Sequence, residues 1–181
     1  FASADGTKIV TVGKDSAAFE WRFDPVKGKL VTRPGEAIQH LLTLERDSPV
    51  TQSTPATASE GTFRPWISDC RYNRDLGMLI VGYQNGSFAL FKQGLFEGDP
   101  YDLVHGLSLS TRYIDAVAVS PNGQWLAFGS SPTGQLLVWE WNTESYIMKQ
   151  STVQDPRCLA YSPDGTLLAG GDSDGSIRIW N

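Results

Sequence analysis

Residues 162–181 read SPDGTLLAGGDSDGSIRIWN. A turn at Gly165 opens a short apolar run, a second turn at Asp174-Gly175 reverses it, and a β-branched strand closes on Trp180, which is the pattern of a tight β-hairpin. The beat occurs three more times, as ADGTKIVTVGKDSAAFEW ending at Trp21, LGMLIVGYQNGSFALF at Phe91 and NGQWLAFGSSPTGQLLVW at Trp139. The leading glycines are Gly6, Gly77, Gly123 and Gly165; Asp15, Asn85, Thr133 and Asp174 follow after 9, 8, 10 and 9 positions, and the closing aromatic comes six later each time. Asn85-Gly86 and Asp174-Gly175 predict type I′ turns, with both central residues at positive φ.

Another strand precedes each of the last three hairpins, in SDCRYN, DAVAVS and RCLAYS, and a fourth follows two of them, in LVHGLSLS and SYIMKQ. Four antiparallel strands make one propeller blade. Gly77 to Gly123 is 46 residues and Gly123 to Gly165 is 42, against a blade repeat of about 40 to 45. Gly6 to Gly77 is 71, so that interval carries an insertion of roughly 25 to 30 residues at the same period. The runs are nearly continuously apolar, as strands covered on both faces are.

The expected fold is therefore all-β, a β-propeller fragment of about three and a half four-stranded antiparallel blades. Residues 1–46 form a partial blade with its second, third and fourth strands; 47–65 form a Ser/Thr/Pro-rich insertion loop; 66–110 and 111–150 are blades; 151–181 is a partial blade lacking its outer strand. AIQHLLTL supplies the fourth strand of the first blade on repeat register, although a short helix also fits it. The stretch Ser48 to Glu60 holds eight Ser, Thr or Pro in thirteen residues, a composition that forms no core. Both termini read as cutting through blades, so the fragment is expected to self-associate through exposed blade edges.

With 15 Lys and Arg against 20 Asp and Glu, the 181 residues carry a net charge of −5, which removes a generic polybasic nucleic-acid binder. Hydrophobic residues are 40% of the chain, enough for a packed core. No apolar run approaches the ~18 to 20 residues of a membrane helix, and FASADGTKIV resembles no signal segment; no membrane partner is expected.

Reactive groups are sparse. His40 and His105 fall in predicted outer strands of different blades, and neither HExxH nor CxxC occurs, so no catalytic residue, cofactor site or metal site is assigned. Cys70 and Cys158 each lie seven residues before a repeat glycine, two blades apart, and are expected to be buried free thiols of a reducing compartment. GTKIVTVGK has the wrong glycine spacing for a phosphate loop and reads as a strand. Asp5, Asp15, Asp164 and Asp174 belong to turns that tolerate positive φ. Glu20 and Glu140 are expected on exposed outer strands. The fold-determining positions are Gly6, Asp15, Trp21, Gly77, Asn85, Phe91, Gly123, Trp139, Gly165, Asp174 and Trp180. Weak candidates for loop contacts with RNA are Lys14, Arg71, Arg74 and Arg112, with Lys8 beside them and Tyr72 and Tyr113 as stacking groups.

The blocks SPNGQWLAFGS and SPDGTLLAGGDSDGSIRIWN, with the recurring closing Trp, resemble WD repeats along the chain outside the insertion. That family often staples a blade with a network of His, Ser or Thr, Asp and the closing Trp. Thr11, Asp15 and Trp21, and Asp174 with Trp180, match its positions; Val81, Gly129 and Gly170 stand where the hydroxyl would be, and no Gly-His pair occurs. Residues 114–150, IDAVAVSPNGQWLAFGSSPTGQLLVWEWNTESYIMKQ, with LIVGYQNGSFALF before them, are similar to WD-repeat subunits of the UTP-B subcomplex in the eukaryotic small-subunit processome. The resemblance implies a non-catalytic scaffold in ribosome biogenesis and 18S rRNA maturation. It implies a nuclear, nucleolar location and, as partners, other WD-repeat processome subunits with pre-ribosomal RNA or small nucleolar RNA. A WD-repeat adaptor of an unrelated complex, such as a ubiquitin-ligase substrate receptor, and a propeller enzyme are the alternatives. Deleting Ser48 to Glu60 is expected to leave the melting temperature nearly unchanged, because long surface loops cost little closure entropy; a drop of many degrees would show the segment to be packed.

Overall fold

The computed structural model describes residues 1–3, 5–33, 38–42, 65–93, 101–109, 112–151 and 155–181. Strands β1 (Lys8–Val12), β2 (Ala17–Asp24), β3 (Lys29–Leu30) and β4 (Ile38–Leu41) form the first sheet, with β3 and β4 both pairing β2. An isolated bridge from Ala2 to Ile9 adds a stub of an inner strand. The second sheet is β5 (Ile67–Asn73), β6 (Met78–Tyr83), β7 (Ser87–Gln93) and β8 (Tyr101–Ser108). The third is β9 (Ala116–Val119), β10 (Trp125–Ser130), β11 (Gln135–Glu140) and β12 (Ser145–Ser151). The fourth has β13 (Pro156–Tyr161), β14 (Leu168–Asp172) and β15 (Ile177–Trp180). All neighbouring strands run antiparallel, so this is the all-β blade architecture that the repeat predicts. AIQHLLTL contains a strand, β4, and not a helix. The insertion, apart from Pro65, lies outside the described residues.

The turns explain why each hairpin forms where it does. Before β1, β10 and β14, Ser3, Ser120 and Ser162 direct their hydroxyls onto Asp5, Asn122 and Asp164, and each serine Oγ then accepts an N–H two residues beyond the turn glycine. Gly6, Gly123 and Gly165 sit at φ of 70°, 71° and 75°, the left-handed region that a side chain would strain. The second turns depart from the type I′ expectation. In the Asn85-Gly86 and Asp174-Gly175 turns only the glycine has positive φ, and Asn85 and Asp174 stay on the negative side. Gly86 N–H donates to the Tyr83 carbonyl and Gly175 N–H to that of Asp172, as in a type I turn followed by a left-handed residue. Asn85 and Asp174 act through their side chains instead, accepting from the amide and hydroxyl of Ser87 and Ser176.

Three cores lie between the four sheets, each closed by an aromatic from the later sheet. Phe91 packs with Val10, Ala18 and Leu42 of the first sheet. Trp139, 2% exposed, packs edge-on against Phe88 with ring centroids 5.2 Å apart, and on His105 at 4.9 Å. Trp180 faces the third sheet, where Leu136 and Met148 stand in place of Phe88 and His105. A cleft of about 630 Å³ remains there among Trp125, Val138, Met148, Tyr161 and Trp180. A Cβ at Gly170 would meet the Trp180 ring at 2.9 Å, so only glycine lets this ring lie on β14.

Strand register corrects one repeat position. Ile9, Leu79, Leu126 and Leu168 pair with the closing aromatics Trp21, Phe91, Trp139 and Trp180. The residues two further along are Thr11, Val81, Phe128 and Gly170, so Phe128, not Gly129, occupies the hydroxyl position of the third sheet. The short 3-10 turn Ser131–Thr133 lengthens that hairpin and causes the offset. Glu20 is also not exposed: it lies on β2, is 3% exposed, accepts from Gln93 Nε2 at 3.0 Å and sits 3.7 Å from Lys8 Nζ. Glu140 is half-buried on β11, the third strand of its sheet.

Both cysteines are free, but they differ. Cys70 is half-buried, and burial pushes its thiol up to about 11, with Asp69 adding to the effect. Cys158 is exposed, on the outward face of the last sheet in register with Gly171 and Ile177. At pH 8 an aromatic disulfide reagent is therefore expected to titrate Cys158 quickly and Cys70 slowly; two equal fast phases would contradict the burial difference. Trp139→Ala is expected to cost ~3 to 5 kcal/mol. Trp180→Ala should cost less, ~1 to 2 kcal/mol, because its ring keeps part of its surface in water; equal shifts of the urea midpoint would contradict this.

Candidate loop-face interface

Antiparallel order places the turns between second and third strands at the same end of every sheet as the segments leading into each first strand. Hydrogen bonds stitch this end both within sheets and from sheet to sheet. Ile67 N–H donates to the Lys14 carbonyl at 3.2 Å, Gln84 N–H to Trp66 at 2.9 Å, and Ile114 N–H to Tyr83 at 3.3 Å. The Ser16 hydroxyl donates to the Pro65 carbonyl at 3.3 Å and that of Ser130 to the Tyr113 carbonyl at 2.9 Å. The segment Pro65-Trp66 is thus held by the hairpins on both sides of it, while the indole stays 61% exposed. A recess of about 390 Å³ opens beside it, lined by Pro65, Trp66, Gln84 and Asn85.

The four RNA candidates do not gather. Lys14, in the first hairpin turn, and Arg112, beside the half-exposed Tyr113, are exposed at this end. Arg71 lies on β5 with its guanidinium 2.7 Å from Asp69. Arg74 is exposed in the turn at the opposite end. Lys8 donates to Gln93 Oε1 at 2.9 Å, and Tyr72 packs on Phe1 within the first core, with centroids 5.9 Å apart. His40 falls on β4. His105 lies between Phe88 and Trp139, and its Nε2 is buried with no hydrogen-bond partner among the described residues.

Trp66 is not among the residues that the repeat singles out; its signal in the sequence is a tryptophan outside the repeat register, directly before a strand. Also unforeseen were the polar bonds between sheets. Asp69 accepts from Val117 N–H at 2.9 Å, and Asn73 Nδ2 donates to the carbonyls of Ser120 and Pro121 at 3.0 Å each. Asp115 and Asp155 converge on Arg157, at 3.7 and 3.4 Å, as an ion-paired cluster. Among the described residues no three His, Cys, Asp or Glu side chains group as a metal site.

Comparison with known proteins places this geometry. The WD domain, G-beta repeat, family pattern matches residues 146–181. Periodic tryptophan protein 2 of Saccharomyces cerevisiae is 34% identical over 185 residues, covering 100% of this chain and 19% of that protein. The protein of the same name from Arabidopsis thaliana is 40% identical over 116 residues, covering 64% of this chain and 12% of that protein. The chain therefore spans a fifth or less of the length of these relatives. The β-propeller domain of Cps50 (Swd1) from Myceliophteria thermophila superposes with a TM-score of 0.70 at 14% identity, over 99% of this chain and 51% of that one. At that identity the likeness speaks for the fold. The family pattern covers the strands that carry the Asp174 turn and the closing Trp180, so residues 146–181 match a WD repeat, and the propeller superposition across the four sheets shows that the chain has the WD-repeat β-propeller fold.

Proposed function

We propose that this chain is part of a non-catalytic scaffold of ribosome biogenesis that works in the nucleolus, within the small-subunit processome and toward 18S rRNA maturation. The observation carrying this reading is the similarity to periodic tryptophan protein 2 along the full chain. It joins the resemblance of residues 114–150 to subunits of the UTP-B subcomplex. The geometry is consistent with a scaffold: rigid sheets stitched at one end present side chains without moving, as a binding platform requires. Partners are other WD-repeat subunits, with pre-ribosomal or small nucleolar RNA in the same particle. The blade division at 1–46, 66–110, 111–150 and 151–181, the insertion at 47–65, and self-association of the fragment through exposed blade edges belong to the same proposal.

The test is affinity purification of the full-length protein from its own cells, read by mass spectrometry and RNA sequencing. Recovery of WD-repeat partners with a box C/D small nucleolar RNA and pre-ribosomal RNA is the expected result. Recovery of ubiquitin-ligase subunits, or of no stable partner, would overturn it.

A further inference from the structure

We propose that the loop-face arc of Lys14, Trp66, Gln84, Asn85, Arg112 and Tyr113 binds single-stranded RNA, with one base stacked on each exposed ring; this deepens the scaffold reading and rests on it. Two of the exposed rings stand at this end of the sheets, while Tyr146, 54% exposed, lies on β12 in ring contact with Trp139. Trp66 is 61% exposed and Tyr113 42% exposed, and both precede the first strand of consecutive sheets. Neither contributes to a core between sheets. Both are nevertheless anchored through their carbonyls, Trp66 by Gln84 N–H and Tyr113 by the Ser130 hydroxyl. A ring fixed through its backbone and left open to water is a preorganised stacking surface that loses little freedom on binding.

The space between the rings favours a single strand over a duplex. The hairpin 83–86 separates them, its Tyr83 carbonyl accepting from Ile114 N–H on one side while Gln84 N–H reaches Trp66 on the other. Rings on neighbouring sheets stand on the order of 10 Å apart, so bases on them must be splayed, as unpaired bases are and duplex bases are not. Gln84 and Asn85 line the recess beside the indole. Asn85 spends its Oδ1 on Ser87, which leaves its NH2 group as a donor, and Gln84 offers both donor and acceptor to a base edge. Lys14 and Arg112, both exposed, stand at the two ends of the arc and are suited to phosphates. The neighbouring carboxylate, Asp15, faces its own turn, accepting from Ala17 N–H at 3.3 Å. Polar amides between the rings also break any continuous apolar patch, which an apolar peptide partner would need.

The test uses the purified full-length protein and a fluorescein-labelled ten-nucleotide oligouridylate, read by anisotropy over a salt series. Trp66→Ala and Tyr113→Ala are each expected to weaken binding roughly tenfold or more, with Trp66→Phe retaining most of it. Lys14→Gln should lower the salt slope by about 0.7, the loss of one phosphate contact. Arg74→Ala, at the opposite end, should change nothing. Melting temperatures should hold, since all these side chains are exposed. RNA bound equally by the Trp66 and Tyr113 variants, or not bound even at low salt, overturns the arc. So does loss of a protein partner on Trp66→Ala with RNA affinity intact, which would assign the ring to a protein interface. Recovery of pre-ribosomal particles alongside any of these results would refute the arc alone and leave the scaffold reading standing.

Discussion

The stability of each sheet depends on the aromatic that closes its third strand being covered by the sheet before it. Burying such a ring is worth ~1.5 to 3 kcal/mol, and a side-chain hydrogen bond nets only about 1 kcal/mol. Packing is therefore the stronger device wherever a neighbour exists, and Phe91 and Trp139 are almost fully covered. Trp21 is half-exposed, and its Nε1 donates to Thr11 Oγ1 at 2.9 Å, the hydrogen-bond device of the WD repeat. Trp180 is intermediate, half-covered by the third sheet and donating from Nε1 to Gln150 Oε1 of the neighbouring sheet at 2.8 Å.

This explains what could be read without coordinates. Turn glycines and closing aromatics recur at near-constant spacing because a hairpin needs its left-handed residue and its cap at fixed register, so sheets and strand order were legible. Register itself was not. The 3-10 turn Ser131–Thr133 shifts the pairing enough to put Phe128 where counting from Trp139 put Gly129. The turn type was misjudged because Asn85 and Asp174 suit two devices, positive φ and side-chain capping, and composition does not choose between them. Glu20 looked exposed because glutamate usually is; its burial depends on Gln93, 73 residues away, and no local pattern reports such a partner.

The site was less legible than the fold for a geometric reason. Charged residues close in sequence, such as Arg71 and Arg74, end up on an inner strand and at one end of the sheet, while Lys14 and Arg112, far apart in sequence, reach the same end. Strand direction decides this, and direction becomes informative only when every strand is placed. Trp66 carried a weak signal in being off the repeat. Cys158 carried none, since the equivalent Cys70 is half-buried while Cys158 is exposed.

The two ends of the sheets also differ in what they leave available. At the end away from the arc, the described turns consume their own polar groups: Ser3 and Thr7 hold Asp5 so firmly that its carboxyl falls to about 2, and Ser162 and Thr166 lower that of Asp164 in the same way. Those carboxylates are charged and hold the donors of their own turns. At the arc end the bonds that join the first three sheets are accepted by the backbone carbonyls of Lys14, Pro65 and Tyr83, which leaves the indole, the phenol ring and the Gln84 amide unspent. Where sheets are joined through main-chain carbonyls, exposed side chains such as Trp66, Gln84 and Tyr113 can vary without loosening them.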